Sequence, residues 1–366
     1  MKIFAINPGS TSTKIALFDR QQTVFSKNVA HDAADLSRFD SISAQLPYRL
    51  EMIQQLLEKD SISLEGTDAF VGRGGGLLPL EGGTYEIDAL LLSHATLGAN
   101  GIAHPAQLGP QLASEFQKVY GGRALVVNPP DVDELHDLAR MTGIAGVYRT
   151  VHLHALNLKE TAIRHADSLG KNYADGNYVV CHIGGGISVS AHRQGRMIDG
   201  NDIVGGEGPM APTRCGAVPV AALLQYCEGK SSREVKALCT RTGGFVSHLG
   251  TSDALEVIQR AHDGDKYADL VWKTMIYQIT KEIGAMACVL KGQVDGILLG
   301  GGMVHSQELV AEITAACAWI APVSAYPGEF EMEAMASGAE RVLKGQEIVK
   351  HYSGEPIWTG FDFIAT

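Results

Sequence analysis

Lys2-Ile3-Phe4-Ala5-Ile6-Asn7-Pro8-Gly9-Ser10-Thr11-Ser12-Thr13-Lys14-Ile15-Ala16-Leu17-Phe18-Asp19 opens the chain. The apolar run over 3–6 reads as a buried strand, the Pro-Gly-Ser-Thr stretch over 8–13 as a turn, and 14–19 as a strand returning beside the first. Near the middle the pattern recurs. Tyr178-Val179-Val180-Cys181-His182-Ile183 is a strand, Gly184-Gly185-Gly186 a turn and 187–192 a second strand. Ile183 falls about half the chain after Ile6, which is the expected mark of a duplicated α/β domain.

Outward from these hairpins, 43–59 carries Leu46, Leu50, Ile53 and Leu57 at the spacing of an amphipathic helix. A short strand over 69–71 runs into Gly72-Arg73-Gly74-Gly75-Gly76, and a strand over 124–127 ends at Asn128-Pro129-Pro130. Residues 84–120 read as helix and loop. The second half is more helical: 266–291 has a helical apolar face with Gly292 as its stop, and a strand over 295–299 ends in Gly300-Gly301-Gly302. Helices are expected near 306–318 and 331–344. No Pro, Ser or charge-rich linker divides the halves.

A length of 366 residues fits two domains better than one. With 45% hydrophobic and 19% charged residues the composition is that of a globular chain with sizeable cores. The net charge of -11 disfavours phosphate backbones and anionic lipid as partners. The six cysteines are scattered with no C-x-x-C pair, which reads as reduced thiols. Neither a signal peptide nor an apolar run long enough for a membrane helix is evident. A cytoplasmic location is the expectation.

Three strands end in turns of Gly, Ser or Thr: 7–13, 184–186 and 300–302. Such turns expose backbone N–H groups suited to phosphate oxygens. In the first, Asn7, Ser10, Thr11, Ser12 and Thr13 add side-chain donors and Lys14 adds charge. Two rival motifs fail. A Walker A loop ending at Gly229-Lys230-Ser231 would need glycine where Leu224 stands. The dinucleotide fingerprint breaks at Leu77 after Gly72 and Gly74, and at His305 after Gly300 and Gly302.

Taken in order, Asn7-Pro8-Gly9-Ser10-Thr11-Ser12-Thr13-Lys14, Val71-Gly72-Arg73-Gly74-Gly75, Glu81-Gly82-Gly83-Thr84-Tyr85, His182-Ile183-Gly184-Gly185-Gly186-Ile187-Ser188-Val189, Gly206-Glu207-Gly208-Pro209, Lys281-Glu282-Ile283-Gly284-Ala285-Met286-Ala287 and Tyr326-Pro327-Gly328-Glu329 resemble the acetokinase family of short-chain fatty acid kinases. The likeness is nearest to the members acting on butyrate and runs from residue 3 to about 345. It implies two ribonuclease-H-like (actin-like ATPase) domains, 1–160 and 161–366, with ATP in the interdomain cleft and the final helix packing back on the first domain. It further implies a homodimer. The nucleotide residues it implies are Asn7, Ser10, Thr11, Ser12, Lys14, His182, Gly184, Gly185 and Gly186, with Gly300, Gly301 and Gly302 towards adenosine.

Phosphoryl transfer from ATP to a carboxylate brings two anions together, so cations should dominate such a site and general-base work should be slight. By resemblance Arg73 holds the acceptor carboxylate, Arg214 in Pro212-Thr213-Arg214-Cys215-Gly216 neutralises the transition state, and His154 hydrogen-bonds the moving phosphoryl. His104 supports them and Asn7 positions phosphate and metal water. The spacing of His152 and His154 could suggest zinc, but no further ligand motif accompanies it. Mg²⁺ would be held by Glu331, within the alternating acids Glu329, Glu331 and Glu333. The family's other metal residue is an aspartate. Asn128 stands there instead, with Asp131 or Asp133 as alternatives. Around the acyl tail, Gly75, Ala103, Leu153 and Gly205 fall where acetate-specific members are bulky, which implies room for a longer acid. The expected reaction is ATP + butanoate ⇌ ADP + butanoyl phosphate. Acetate or propionate kinase, or a non-catalytic ATP clamp like actin or the heat-shock chaperones, are the alternatives.

Overall fold

Ile3, Phe4, Ala5 and Ile6 are each no more than 3% exposed. Successive strand residues face opposite sides, so their common burial means that both faces of this strand are covered. The computed structural model describes residues 1–20 and 22–362. The chain divides into two compact units, one of Met1–Asp133 with the chain from Phe330 onward, the other Glu134–Glu329.

In the first unit the described strands are β1 (Lys2–Pro8), β2 (Ser12–Asp19), β3 (Gln22–Ala30), β4 (Ala69–Gly72), β5 (Thr84–Glu86) and β6 (Arg123–Val127). They form one sheet in the order β3-β2-β1-β4-β6-β5. Phe4, Ile6 and Phe70 pack with Phe116 of the helix Leu108–Tyr120 and with Ile53 and Leu57 of the helix Leu46–Lys59. The helix Glu331–Leu343 lies on β1, β4 and β6.

In the second unit the described strands are β7 (Asn177–Ile183), β8 (Ile187–Arg193), β9 (Arg196–Gly200), β10 (Gly296–Gly301) and β11 (Val323–Pro327), ordered β11-β10-β7-β8-β9. Met275, Ile279 and Ile283 of the helix Lys266–Val289 join Val179, Cys181 and Val189 in its core. The helix Ala155–Ser168 packs on β7 and β10.

Both sheets share one plan. The first strand pairs antiparallel with the second, the second antiparallel with the third, the first parallel with the fourth, and the fourth parallel with the last of the set. Even the irregularity is repeated. The β2–β3 ladder slips between Leu17 and Phe18, and the β8–β9 ladder between Ala191 and His192. A bulge is a specific local device, so its recurrence fixes the equivalence of the two hairpins. Counted from the bulge through the ladder partners, Ile6 matches Cys181, and Asn7 matches His182. By the same count Ile183 corresponds to Pro8 and not to Ile6, and the second turn is one residue shorter.

The unit boundary also differs from residue 160. A cut there would divide the helix Ala155–Ser168, whose inner face belongs wholly to the second sheet. The helix Glu331–Leu343 and the chain beyond it group with the first unit.

Candidate active site

In the first unit, three chemistry-bearing residues meet at the end of β1 and β4. The Arg73 Nη1 donates to Glu331 Oε1, and the Asn7 amide donates to Glu331 Oε2 at 2.6 Å. Arg73 is anchored in the backbone by its N–H on the Ile6 carbonyl at 2.8 Å. Two glycines make the place possible. A Cβ on Gly72 would lie 2.1 Å from the Gly109 carbonyl oxygen, and one on Gly109 would lie 2.0 Å from that of Arg73. The helix Leu108–Tyr120 thus begins in backbone contact with the strand end that carries Arg73. His104 precedes it: its Nδ1 accepts the Ala106 N–H at 3.2 Å, while Gln107 Oε1 accepts the His104 N–H. Desolvation, then the Arg73 guanidinium, lower the His104 pKa, and Glu331 opposes them, although the residue as a whole is exposed.

The first hairpin turn is held from beneath by a residue that sequence reading did not single out. Arg49 is fully buried. Its Nη1 donates to the carbonyls of Gly9 and Ser12 at 2.9 and 3.2 Å and to Thr13 Oγ1 at 3.1 Å, while Gln45 braces the guanidinium. Thr13 Oγ1 in turn meets His31 Nε2 at 2.8 Å. Ser10, Thr11 and Lys14 are exposed and Ser12 half-buried. The turn therefore presents its donors outward from a fixed base.

In the second unit, the rings of His154 and His182 stack with centroids 3.9 Å apart and planes at 21°. His154, at the head of the helix Ala155–Ser168, meets Ser188 Oγ through Nδ1 at 2.8 Å. The Asn157 amide, one turn on, donates to His182 Nδ1 at 2.9 Å, which leaves the proton of a neutral ring on Nε2. Glu329 Oε1 stands 3.8 Å from that nitrogen. His182 pairs across the hairpin with Ser188 and, on its other side, with Gly300. The ladder thereby brings the 184–186 and 300–302 turns to one end of the sheet. Gly185 and Gly302 have open space where a side chain would stand, whereas Gly301, at φ 100°, would thrust a Cβ to 2.4 Å from the Ile183 oxygen. Arg214 lies on the turn: its Nη1 occupies the place of a Gly186 side chain, 1.2 Å from the ideal Cβ. Its Nε and Nη1 are buried and have no hydrogen-bond partner among the described residues. Burial lowers the Arg214 pKa, with Asp202 acting in the opposite sense.

A half-desolvated guanidinium with unpaired N–H groups, two stacked imidazoles and glycines without side chains in the way make an arrangement chemically suited to an anion. Residues 145–320, which hold this arrangement, match the model of the Acetokinase family. Over that stretch the chain is similar to this family. Solved structures extend the likeness of fold to the remainder. An acetate kinase from Porphyromonas gingivalis is 20% identical with a TM-score of 0.75, covering 93% of this chain and 99% of its own. A propionate kinase from Francisella tularensis subsp. tularensis SCHU S4 is 18% identical, TM-score 0.71, with coverages of 92% and 98%. An acetate kinase from Entamoeba histolytica is 16% identical, TM-score 0.73, with coverages of 93% and 99%. The chain thus shares the two-sheet actin-like ATPase fold of these structures along nearly its whole length.

Of the three alternating acids, Glu331 faces Asn7 and Arg73, and Glu329 approaches His182. A carboxylate beside an amide suits magnesium, which takes one or two protein oxygens and completes its shell with water and phosphate. Asn128 does not suit it. The side-chain oxygen accepts the Gly83 N–H at 2.8 Å, and its φ of 38° is a left-handed conformation that asparagine tolerates. Asp131 Oδ1 accepts from Asn100 at 2.5 Å, and Asp133 is buried with its N–H on the Leu80 carbonyl. Among the described residues no group of three or more His, Cys, Asp or Glu could hold an ion. At Gly75 a side chain would meet Ala106, whose Cβ lies 2.9 Å from the ideal Cβ position. Gly205 likewise yields to Asp202, and Leu153 is 1% exposed and touches Gly200. Ala103 is exposed.

Among the described residues no helix is long and apolar enough to cross a membrane.

Proposed function

We propose that this protein is an ATP-dependent acyl kinase that transfers the γ-phosphoryl group to the carboxylate of a short-chain fatty acid, with butyrate as the acceptor. A carboxylate oxygen attacks the γ-phosphorus, the bond to the bridging oxygen breaks, and its electron pair leaves on ADP. The carboxylate is already ionised at neutral pH, so the residues' work is alignment and charge neutralisation. The observation that carries this reading is Arg214, a buried guanidinium with unpartnered Nε and Nη1 against the Gly186 turn. An anion suits such a group best, and a phosphoryl in flight spreads charge over three oxygens.

In this reading Arg73 takes the acceptor carboxylate, His154 and His182 donate to phosphate oxygens, and the 7–14, 184–186 and 300–302 segments bind ATP. Glu331, with water near Asn7, would hold Mg²⁺, which when bound would neutralise polyphosphate charge. The protein acts as a cytoplasmic homodimer on ATP or ADP, the acid and its acyl phosphate, and not on nucleic acid or membrane.

The choice of butyrate rests on the sequence resemblance to butyrate-acting kinases and not on a pocket, since Ala103 is exposed and Gly75 and Gly205 make way for Ala106 and Asp202. Two additional buried methylenes contribute roughly 1.6 kcal/mol, at about 0.8 each, near fifteenfold in affinity. Acetate and propionate form the second reading, favoured by the substrates in the names of the similar solved structures. Hydroxylamine trapping of acyl phosphate with ATP and Mg²⁺ across acids from acetate to hexanoate distinguishes them. A butyrate optimum is expected. An acetate optimum removes the chain-length assignment, and no hydroxamate from any acid removes the kinase.

A further inference from the structure

The pair formed by Arg73 and Glu331 joins the residue assigned to the acceptor's carboxylate with the residue assigned to the cation. Chemically, a glutamate side chain is itself a short-chain carboxylate. In the first unit it makes the contact that an acid substrate would make, a carboxylate oxygen on the Arg73 guanidinium. The engagement is one-sided: Glu331 takes Nη1, while the buried Arg73 Nε has no hydrogen-bond partner among the described residues. Arg–carboxylate pairs frequently use both teeth of the fork, and this one uses Nη1 alone. Asn7 holds the second oxygen of the carboxylate at 2.6 Å, so Glu331 bridges the phosphate-binding strand and the substrate arginine.

We propose that Glu331 is an internal competitor for Arg73, released when its carboxylate passes to a divalent cation, so that cation binding and acid binding are positively coupled. This rests on the assignment of Arg73 to the acceptor carboxylate. Glu331 cannot serve the guanidinium and a cation equally well through the same oxygen. Drawing Glu331 away leaves the Arg73 Nη1 as well as Nε open to an incoming carboxylate. The coupling would disfavour acid binding in the absence of the metal that the chemistry needs. By linkage the same factor must tighten cation binding when acid is present.

Calorimetric titration with sodium butyrate tests this without turnover, using the intact protein in EDTA and in MgCl2. Wild-type protein should bind butyrate about tenfold more tightly with Mg²⁺, the size expected for exchanging one charge-assisted contact. Glu331→Gln should bind it about tenfold more tightly than wild type in EDTA and gain little from Mg²⁺. The wild-type pair of titrations needs no variant, and circular dichroism with a thermal melt checks that Glu331→Gln is folded. Equal wild-type affinities with and without Mg²⁺, or a folded Glu331→Gln that binds no more tightly in EDTA, overturn the competitor while leaving acid binding intact. No binding of butyrate, propionate or acetate under any condition overturns the functional reading as well.

Discussion

The guanidinium of Arg214 rests on the α-carbon of Gly186, with Nη1 1.2 Å from where a β-carbon would be. The glycine turn and the arginine are therefore one device: the turn is bare at that point because the cation fills it. Gly186→Ala should displace the guanidinium without harming the fold, since the clashing atoms are the far end of a flexible side chain. Turnover should fall at least about tenfold, and for Arg214→Ala on the order of 10³, with little change in ATP affinity. Steady-state kinetics with nucleotide titrations check this; unchanged turnover in both variants would show that Arg214 has no part in the chemistry.

Asn157 sets the tautomer of His182 by donating to Nδ1. Asn157→Asp replaces that donor with an acceptor, which demands a proton on Nδ1 and turns Nε2 into an acceptor in the neutral ring. A phosphate oxygen then loses its donor, and turnover should drop roughly tenfold. Because the new carboxylate raises the His182 pKa, activity should recover on moving to lower pH, which a pH–rate profile detects. A profile parallel to wild type would mean that His182 Nε2 does not serve the substrate.

Arg49 buries a charge beneath the first hairpin turn and satisfies the Gly9 and Ser12 carbonyls there. Arg49→Met should cost about 2–4 kcal/mol, since those carbonyls lose their donor in a dry site. The KM for ATP should rise more than kcat falls, because the turn loses its base while the catalytic cations remain. Denaturant titration and kinetics measure both effects.

His31, 5% exposed and facing Thr13, has its pKa lowered from 6.5 to about 4 by burial and then by Arg49. Between those two values the unfolded chain binds the proton and the folded one does not. Stability therefore falls as pH drops from 6.5 to about 4 and levels off below, by up to roughly 3 kcal/mol from this group. Urea titrations across that range should show the loss, and His31→Asn should flatten it relative to wild type.

Much of this was legible where chemistry and packing speak together. The two hairpins announce themselves because a central strand must be apolar on both faces and its phosphate-facing end must be bare. β3 and β11 did not announce themselves: Gln22–Ala30 and Val323–Pro327 are sheet edges, largely solvated, and lack the alternation that marks a strand. Arg49 looks like a surface charge on an amphipathic helix until the turn above it is seen. Gly75 looks like pocket space because a sequence shows a missing side chain but not its neighbour, here Ala106. The match of Asn7 with His182 needed the repeated bulge, since turns of unequal length hide the register.

Phosphorus NMR of the purified protein with ATP, Mg²⁺ and butyrate tests the central claim most directly, because it reads which bond is made. Signals of ADP and an acyl phosphate should grow together, without AMP or pyrophosphate, and only when the acid is present. ATP left unchanged, or cleaved to ADP and free phosphate at the same rate with and without butyrate, would contradict the account.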